Sequence, residues 1–210
     1  LALTRQAAPP ALPAARPCTA RETADLTTPS DLPYRLTCRA ELAGRDIRRR
    51  VLIEGQAASG AVLDCGGGEI RAPGGATTAA PTVAVWSRPE NGGWSRPTDI
   101  AIRNCGVVGN VRVWGMGASG SMRDLLASSR TAGHTLAAQA AAPTRVVLDR
   151  IRFQGAGTIP LYVGPGVTRV TVRRSRFSGR STSVAIYLDA ESAGALIQDN
   201  DFDILSLIHI

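Results

Sequence analysis

Apolar and polar residues alternate with a period of two across Thr144–Gly155 (TRVVLDRIRFQG) and again across Thr168–Gly179 (TRVTVRRSRFSG). The two stretches agree position by position: Val146 with Val170, Leu148 with Val172, Phe153 with Phe177 and Gly155 with Gly179, each pair 24 residues apart. Alternation predicts strands with one buried face. A fixed spacing of this size predicts that each unit is one turn of a repeat whose apolar face is covered by its neighbours.

Further copies extend the pattern. Thr98–Gly109 (TDIAIRNCGVVG) aligns with the Thr144 unit at an offset of 46, two units of 23; only one coil is counted there, so the excess is an insertion. Ala193–Phe202 (AGALIQDNDF) repeats it once more, Phe202 lying 25 beyond Phe177. Ala61–Gly66 (AVLDCG) matches Ala101–Gly106 (AIRNCG) residue for residue. A second strand row aligns Val83–Trp86, Val111–Trp114, Leu161–Gly164 and Ile186–Asp189. Alternation turns Val83, Val111, Leu161 and Ile186 inward, with Val85, Val113, Val163 and Leu188. In the first row Ile100, Val146, Val170 and Ala195 stack inward, as do Ile102, Leu148, Val172 and Ile197. No two-residue hairpin turn joins these strands, which argues against a sandwich. The expected fold is all-β: a right-handed parallel β-helix, a solenoid of about 23–25-residue coils, with an N-terminal capping segment.

The chain divides accordingly. Residues 1–17 (LALTRQAAPPALPAARP) read either as the remnant of a secretory signal or as a disordered Pro/Ala linker. Residues 18–50 lack the repeat and read as the cap over the first open sheet edge; Asp31–Ala43 within them fits a strand or a short helix. The solenoid spans 51–204, and 205–210 reads as an unfinished strand or non-native sequence, so that later coils are missing.

These repeats resemble those of bacterial right-handed parallel β-helix repeat proteins of the pectin-lyase-like superfamily over roughly residues 45–204. DCGGG (Asp64–Gly68) and YLDAES (Tyr187–Ser192) are similar to a secreted branch of that superfamily. The resemblance implies the fold; its members include lyases, hydrolases, epimerases and non-catalytic modules, so it leaves the chemistry open.

Composition adjusts this picture at a few points. Aromatics are 4% of the chain, so β-branched and small aliphatic residues must fill the core. All 24 basic residues are arginine, and the net charge of +7 favours polyanions, thinly spread. No run reaches the roughly 18 apolar residues of a membrane span. Cys18, Cys38, Cys65 and Cys105 show no CxxC spacing, so no metal site or cofactor is expected. In an exported chain Cys18 and Cys38 suit a local disulfide; Cys65 and Cys105 are either a second disulfide or two buried thiols.

Candidate chemistry gathers at the corner after the second row. Ser87–Pro97 and Gly115–Pro143 are long there, whereas Gly164–Gly166 and Asp189–Ser192 are short, which makes a wall beside a groove. Outward-facing Arg112, Tyr162 and Tyr187 form a row toward it, suited to sugar rings and carboxylates as substrate-binding residues. Asp189 and Glu191, at i and i+2 of an extended segment, would share a face at the separation of an inverting glycosidase pair. His134 and Arg130, in the long insertion, are further catalytic candidates, and Arg112 or Arg130 would be the base of a lyase. Each of these also has a structural reading: tyrosines covering a sheet, solvated turn acids, a lone loop histidine. Arg150 stacks on Arg174 and Arg152 on Arg176, answered one coil on by Asp199 and Asp201, so the ladder is partly self-neutralised. Ser175 and Asn200, sharing a turn position with Cys105 and Ile151, would begin a polar ladder. Nothing carries a nucleic-acid motif. The expectation is an exported protein, secreted, periplasmic or at the cell surface, acting on an acidic polysaccharide as lyase or hydrolase, or else a non-catalytic glycan-binding or structural module.

Overall fold

The computed structural model describes residues 15–117 and 122–206. The expected leader thus lies almost wholly outside the described residues, as do positions 207–210. A helix α1 (Ala20–Thr27) comes first, held at its start by a reciprocal capping box between Thr19 and Glu22. Strands β1 (Tyr34–Arg35) and β2 (Arg39–Glu41) follow, so Asp31–Ala43 is strand rather than helix. The next circuit is β3 (Val51–Glu54), β4 (Val62–Asp64) and β5 (Glu69–Arg71). After it come β6 (Val83–Trp86), a hairpin of β7 (Arg88–Glu90) and β8 (Gly93–Ser95), then β9 (Thr98–Arg103) and β10 (Gly106–Val108). Strand β11 (Val111–Trp114) leads into helices α2 (Arg123–Ser128) and α3 (His134–Ala141), then β12 (Thr144–Asp149) and β13 (Arg152–Ala156). The last circuits are β14 (Leu161–Val163), β15 (Thr168–Arg173), β16 (Arg176–Ser181), and β17 (Ile186–Leu188), β18 (Leu196–Gln198), β19 (Asp201–Ser206).

Three sheets collect these strands: β1-β3-β6-β11-β14-β17, β2-β4-β9-β12-β15-β18 and β5-β10-β13-β16-β19. Pairing within each is parallel, and among the described residues only β7–β8 is antiparallel. The chain therefore visits the first, second and third sheet in turn, each strand lying beside its counterpart from the circuit before. Alternation puts Val83, Val111 and Leu161 inward in the first sheet, Ile100, Val146 and Val170 in the second, all at most 1% exposed. Phe153, Phe177 and Phe202 stack face to face in the third, centroids 4.3 and 4.9 Å apart. Leu188, Ile197 and Phe202 face the same way as their buried counterparts yet are 42, 41 and 51% exposed, because β17–β19 are the last strands of their sheets. At the other end α1 buries Leu26 against the first coil.

Two expectations shift. Val62 pairs with Ala101, Leu63 with Ile102 and Asp64 with Arg103, one residue off the motif match. Burying Leu63 on Ile102 outweighs the similarity of DCG to NCG, since a one-residue slip would turn Leu63 outward. The turn absorbs the difference: Asp64 to Glu69 spans five positions where Arg103 to Gly106 spans three. Cys65 still reaches Cys105 in a disulfide, and Cys18 bonds Cys38. The second shift is Gly115–Pro143, expected as a loop and found to carry two helices; the Ala-rich HTLAAQAA of α3 is strong helix former.

Two columns of left-handed backbone run across the coils. One lies at the turn from second to third sheet: Asn104, Arg150, Arg174 and Asp199, φ between 51 and 55°. Beside it Ser175 Oγ accepts from the Ile151 N–H (3.0 Å) and Asn200 Oδ1 from the Ser175 N–H (2.9 Å), the expected polar ladder. The other column opens the second sheet: Gly60, Asp99, Arg145, Arg169 and Gly194, φ 55–77°.

Candidate functional site

The corner between the first and second sheets is where the coils differ most. In the second coil it holds a single 3-10 turn, Gln56–Ala58; in the third the β7–β8 hairpin; in the fourth α2 and α3. The three are tied together. Gln56 N–H donates to Ser95 Oγ (2.8 Å), and Trp94 of the hairpin packs on Met116, Leu125 and Ala141 around the helices. The fifth and sixth coils cross the same corner in a few residues.

Helix α3 leans onto the short turn of the sixth coil. His134 opens that helix, its Nε2 3.5 Å from Glu191 Oε1. Gln139 Nε2 donates to the Glu191 carbonyl at 2.8 Å. The other imidazole nitrogen, Nδ1, lies 2.9 Å from Ser128 Oγ at the end of α2. Serine, histidine and glutamate thus form a chain drawn from α2, α3 and the corner turn, with the His134 and Glu191 side chains 16 and 19% exposed.

Asp189 and Glu191 do not act as the expected facing pair. Residues 190–191 form a turn, with Glu191 left-handed at φ 57°, so the segment is not extended. The carboxylates consequently have separate partners: Asp189 accepts from Tyr162 Oη and, at 2.8 Å, from the Ala190 N–H.

The Arg112, Tyr162, Tyr187 row exists in register, with Arg112 beside Tyr162 and Tyr162 beside Tyr187. Its exposure differs from expectation. Arg112 is 2% exposed, its Nη1 donating to Ile159 O (2.7 Å) and Val111 O (3.2 Å), its guanidinium 5.4 Å from the Tyr162 ring. The turn before β14 covers it, which corrects its reading as a substrate-facing group or lyase base. Burial without a carboxylate lowers its pKa to about 10. Tyr162 and Tyr187 stack at 5.1 Å, 11° between planes, so Tyr162 offers no bare face to a sugar; Trp114 lies 5.1 Å from its ring as well. Burial first, then the hydrogen bond to Asp189, pushes the Tyr162 phenol pKa up. Tyr187 is 41% exposed. Arg130 sits exposed in the turn after α2 with no side-chain partner found among the described residues.

Ser128 and Gln139 belong to this cluster without a signal in the sequence. They meet the corner through the insertion, which has no period to align. The arginine ladder is likewise answered differently: Asp149, its side chain 8% exposed, receives Arg174 Nε at 2.9 Å and lies 3.4 Å from Arg173 and 3.7 Å from Arg150. Arg176 reaches Asp201 (3.6 Å), as the one-coil offset predicts, and also Asp203 (3.2 Å), two residues further on.

Among the described residues no three metal-ligating side chains converge, and no helix is long and apolar enough to cross a membrane. The chain matches no family model, no curated protein and no solved structure.

Proposed function

We propose that this chain is a right-handed parallel β-helix from an exported protein and that it binds an acidic polysaccharide without altering it. The observation that carries the reading is the stepped corner, where the β7–β8 hairpin and helices α2 and α3, bound to each other, stand as a wall beside the short turns of the last two coils. A rigid stack with such a step suits a linear glycan. Net charge of +7 favours an acidic one. Two disulfides support export, since such bonds persist in oxidising compartments. Binding is favoured over turnover because Asp189 and Glu191 are engaged in fastening α3 and Tyr162 to the corner. The test is titration of polyuronates and neutral glycans into the protein, with unsaturated products and reducing ends followed in parallel. Binding of polyuronates without product is expected; accumulation of product would overturn it.

A second reading has one specific observation behind it. Ser128 Oγ at 2.9 Å from His134, with Glu191 on the other imidazole nitrogen, is the order of a nucleophile, base and orienting acid. In that reading His134 takes the Ser128 proton as Oγ attacks an ester carbonyl, and Glu191 stabilises the imidazolium. Labelling of Ser128 by a fluorophosphonate, lost in Ser128→Ala, would establish it; absence of label on the folded protein would remove it.

A further inference from the structure

Between the end of α3 and the starts of β12 and β15 lies a cavity of about 390 Å³ lined by Arg96, Gln139, Thr144, Arg145, Thr168 and Arg169. Three guanidinium groups converge on it with one carboxylate in reply: Asp99 accepts from Arg145 Nε (2.5 Å) and Nη2 (2.7 Å). Arg96 uses only Nη1, donating to the carbonyls of Gln139 (2.7 Å) and Ala142 (3.2 Å) at the end of α3, which leaves its other N–H groups unused by these bonds. Its partial burial, and then the nearby charge of Arg145, depress its pKa. Arg169 is exposed and has no side-chain partner among the described residues. Two of the three cations are therefore unneutralised in one cleft, an arrangement that lowers its energy by taking up an anion.

The polar lining points the same way. Thr144 and Thr168 hydroxyls lie 2.7 Å apart. Whichever donates, the other keeps an O–H to offer a ligand. Arg145 and Arg169 are both left-handed, at the second position of adjacent strands, so they enter the cavity one strand spacing apart, about 4.8 Å at the backbone. Arginine's planar fork suits carboxylate and sulfate oxygens alike.

We infer that this cavity recognises the anionic substituent of a glycan, a uronate carboxylate or a sulfate ester, through Arg96, Arg145 and Arg169. The inference rests on the glycan-binding reading above and gives it a site. It is tested by calorimetric titration of the full chain with an oligogalacturonate, a sulfated galactan oligosaccharide, a neutral malto-oligosaccharide and sodium sulfate. The two anionic oligosaccharide arms distinguish carboxylate from sulfate ester. Anionic sugars should bind and the neutral one should not; Arg96→Gln and Arg169→Gln should each weaken binding about tenfold or more. Arg123→Gln, on exposed α2, should leave it unchanged. Arg169 is exposed, so its variant should keep the wild-type melting temperature even if Arg96→Gln loosens α3. Anionic sugars that bind wild type and both variants equally would overturn the site while leaving glycan binding intact. Sulfate binding through these arginines with no oligosaccharide binding would overturn the glycan reading while leaving an anion site, and no binding of any anion would overturn both.

Discussion

The Trp114 indole lies directly over Gly164, one coil on: a Cβ at Gly164 would sit 2.7 Å from Cδ1 and 2.8 Å from Cγ of the ring. The same indole is 7% exposed and leans on Tyr162. Gly164→Ala should therefore displace Trp114 and cost about 1–3 kcal/mol of stability by overpacking. Thermal unfolding and near-ultraviolet circular dichroism of the variant check this; an unchanged tryptophan signal would contradict it.

Asp149 answers Arg174, Arg173 and Arg150 from an almost buried position. The hydrogen bond from Arg174, foremost, holds its pKa below the usual carboxylate value. A depressed folded pKa means stability present above the unfolded value of about 4 and lost as pH falls through the folded one. Asp149→Asn should cost roughly 1–2 kcal/mol at neutral pH, discounted for the exposure of the arginines. In urea unfolding across pH, the gap between wild type and variant should be flat above about pH 5 and close in acid.

The Cys65–Cys105 bond closes a loop of 40 residues across neighbouring coils. Chain entropy alone gives about 4 kcal/mol for such a loop, and Cys65→Ser with Cys105→Ser should lose about 2–5 kcal/mol. Thiol titration of the unreduced, denatured chain should find no free cysteine.

Tyr162→Phe removes the donor to Asp189 and leaves the ring stack in place. A loss of about 1 kcal/mol is expected, with tyrosine absorbance above pH 10 changing little, because the raised pKa already keeps Tyr162 from ionising there. A full tyrosine's loss of absorbance at that pH would contradict the assignment.

What the sequence made legible follows from periodicity. Phe153, Phe177 and Phe202 lie 24 and 25 apart and do stack. Tyr162 and Tyr187 are neighbours for the same reason. Cys65 and Cys105 pair although their motifs suggested a register one residue wrong, because inward Leu63 set the alignment. Helix α1 lies outside the repeat and has no periodic counterpart, so its one local signal is the capping pair Thr19 and Glu22, three residues apart. The contacts of Ser128, His134 and Glu191 were invisible, since they join a unique insertion to a turn. Arginine is seldom left-handed, so nothing in TRV announced the backbone of Arg145 and Arg169.

The column from Gly60 through Asp99, Arg145 and Arg169 to Gly194 has a consequence for how such a chain can change. Its occupants pass from glycine to acid to base and back, while Ile100, Val146 and Val170 beside it stay apolar and covered. A substitution at this one position rewrites local surface charge and leaves the interior stack untouched. Duplicating a circuit would copy the packing and free that single residue to diverge, so affinity for anions can be tuned one turn at a time.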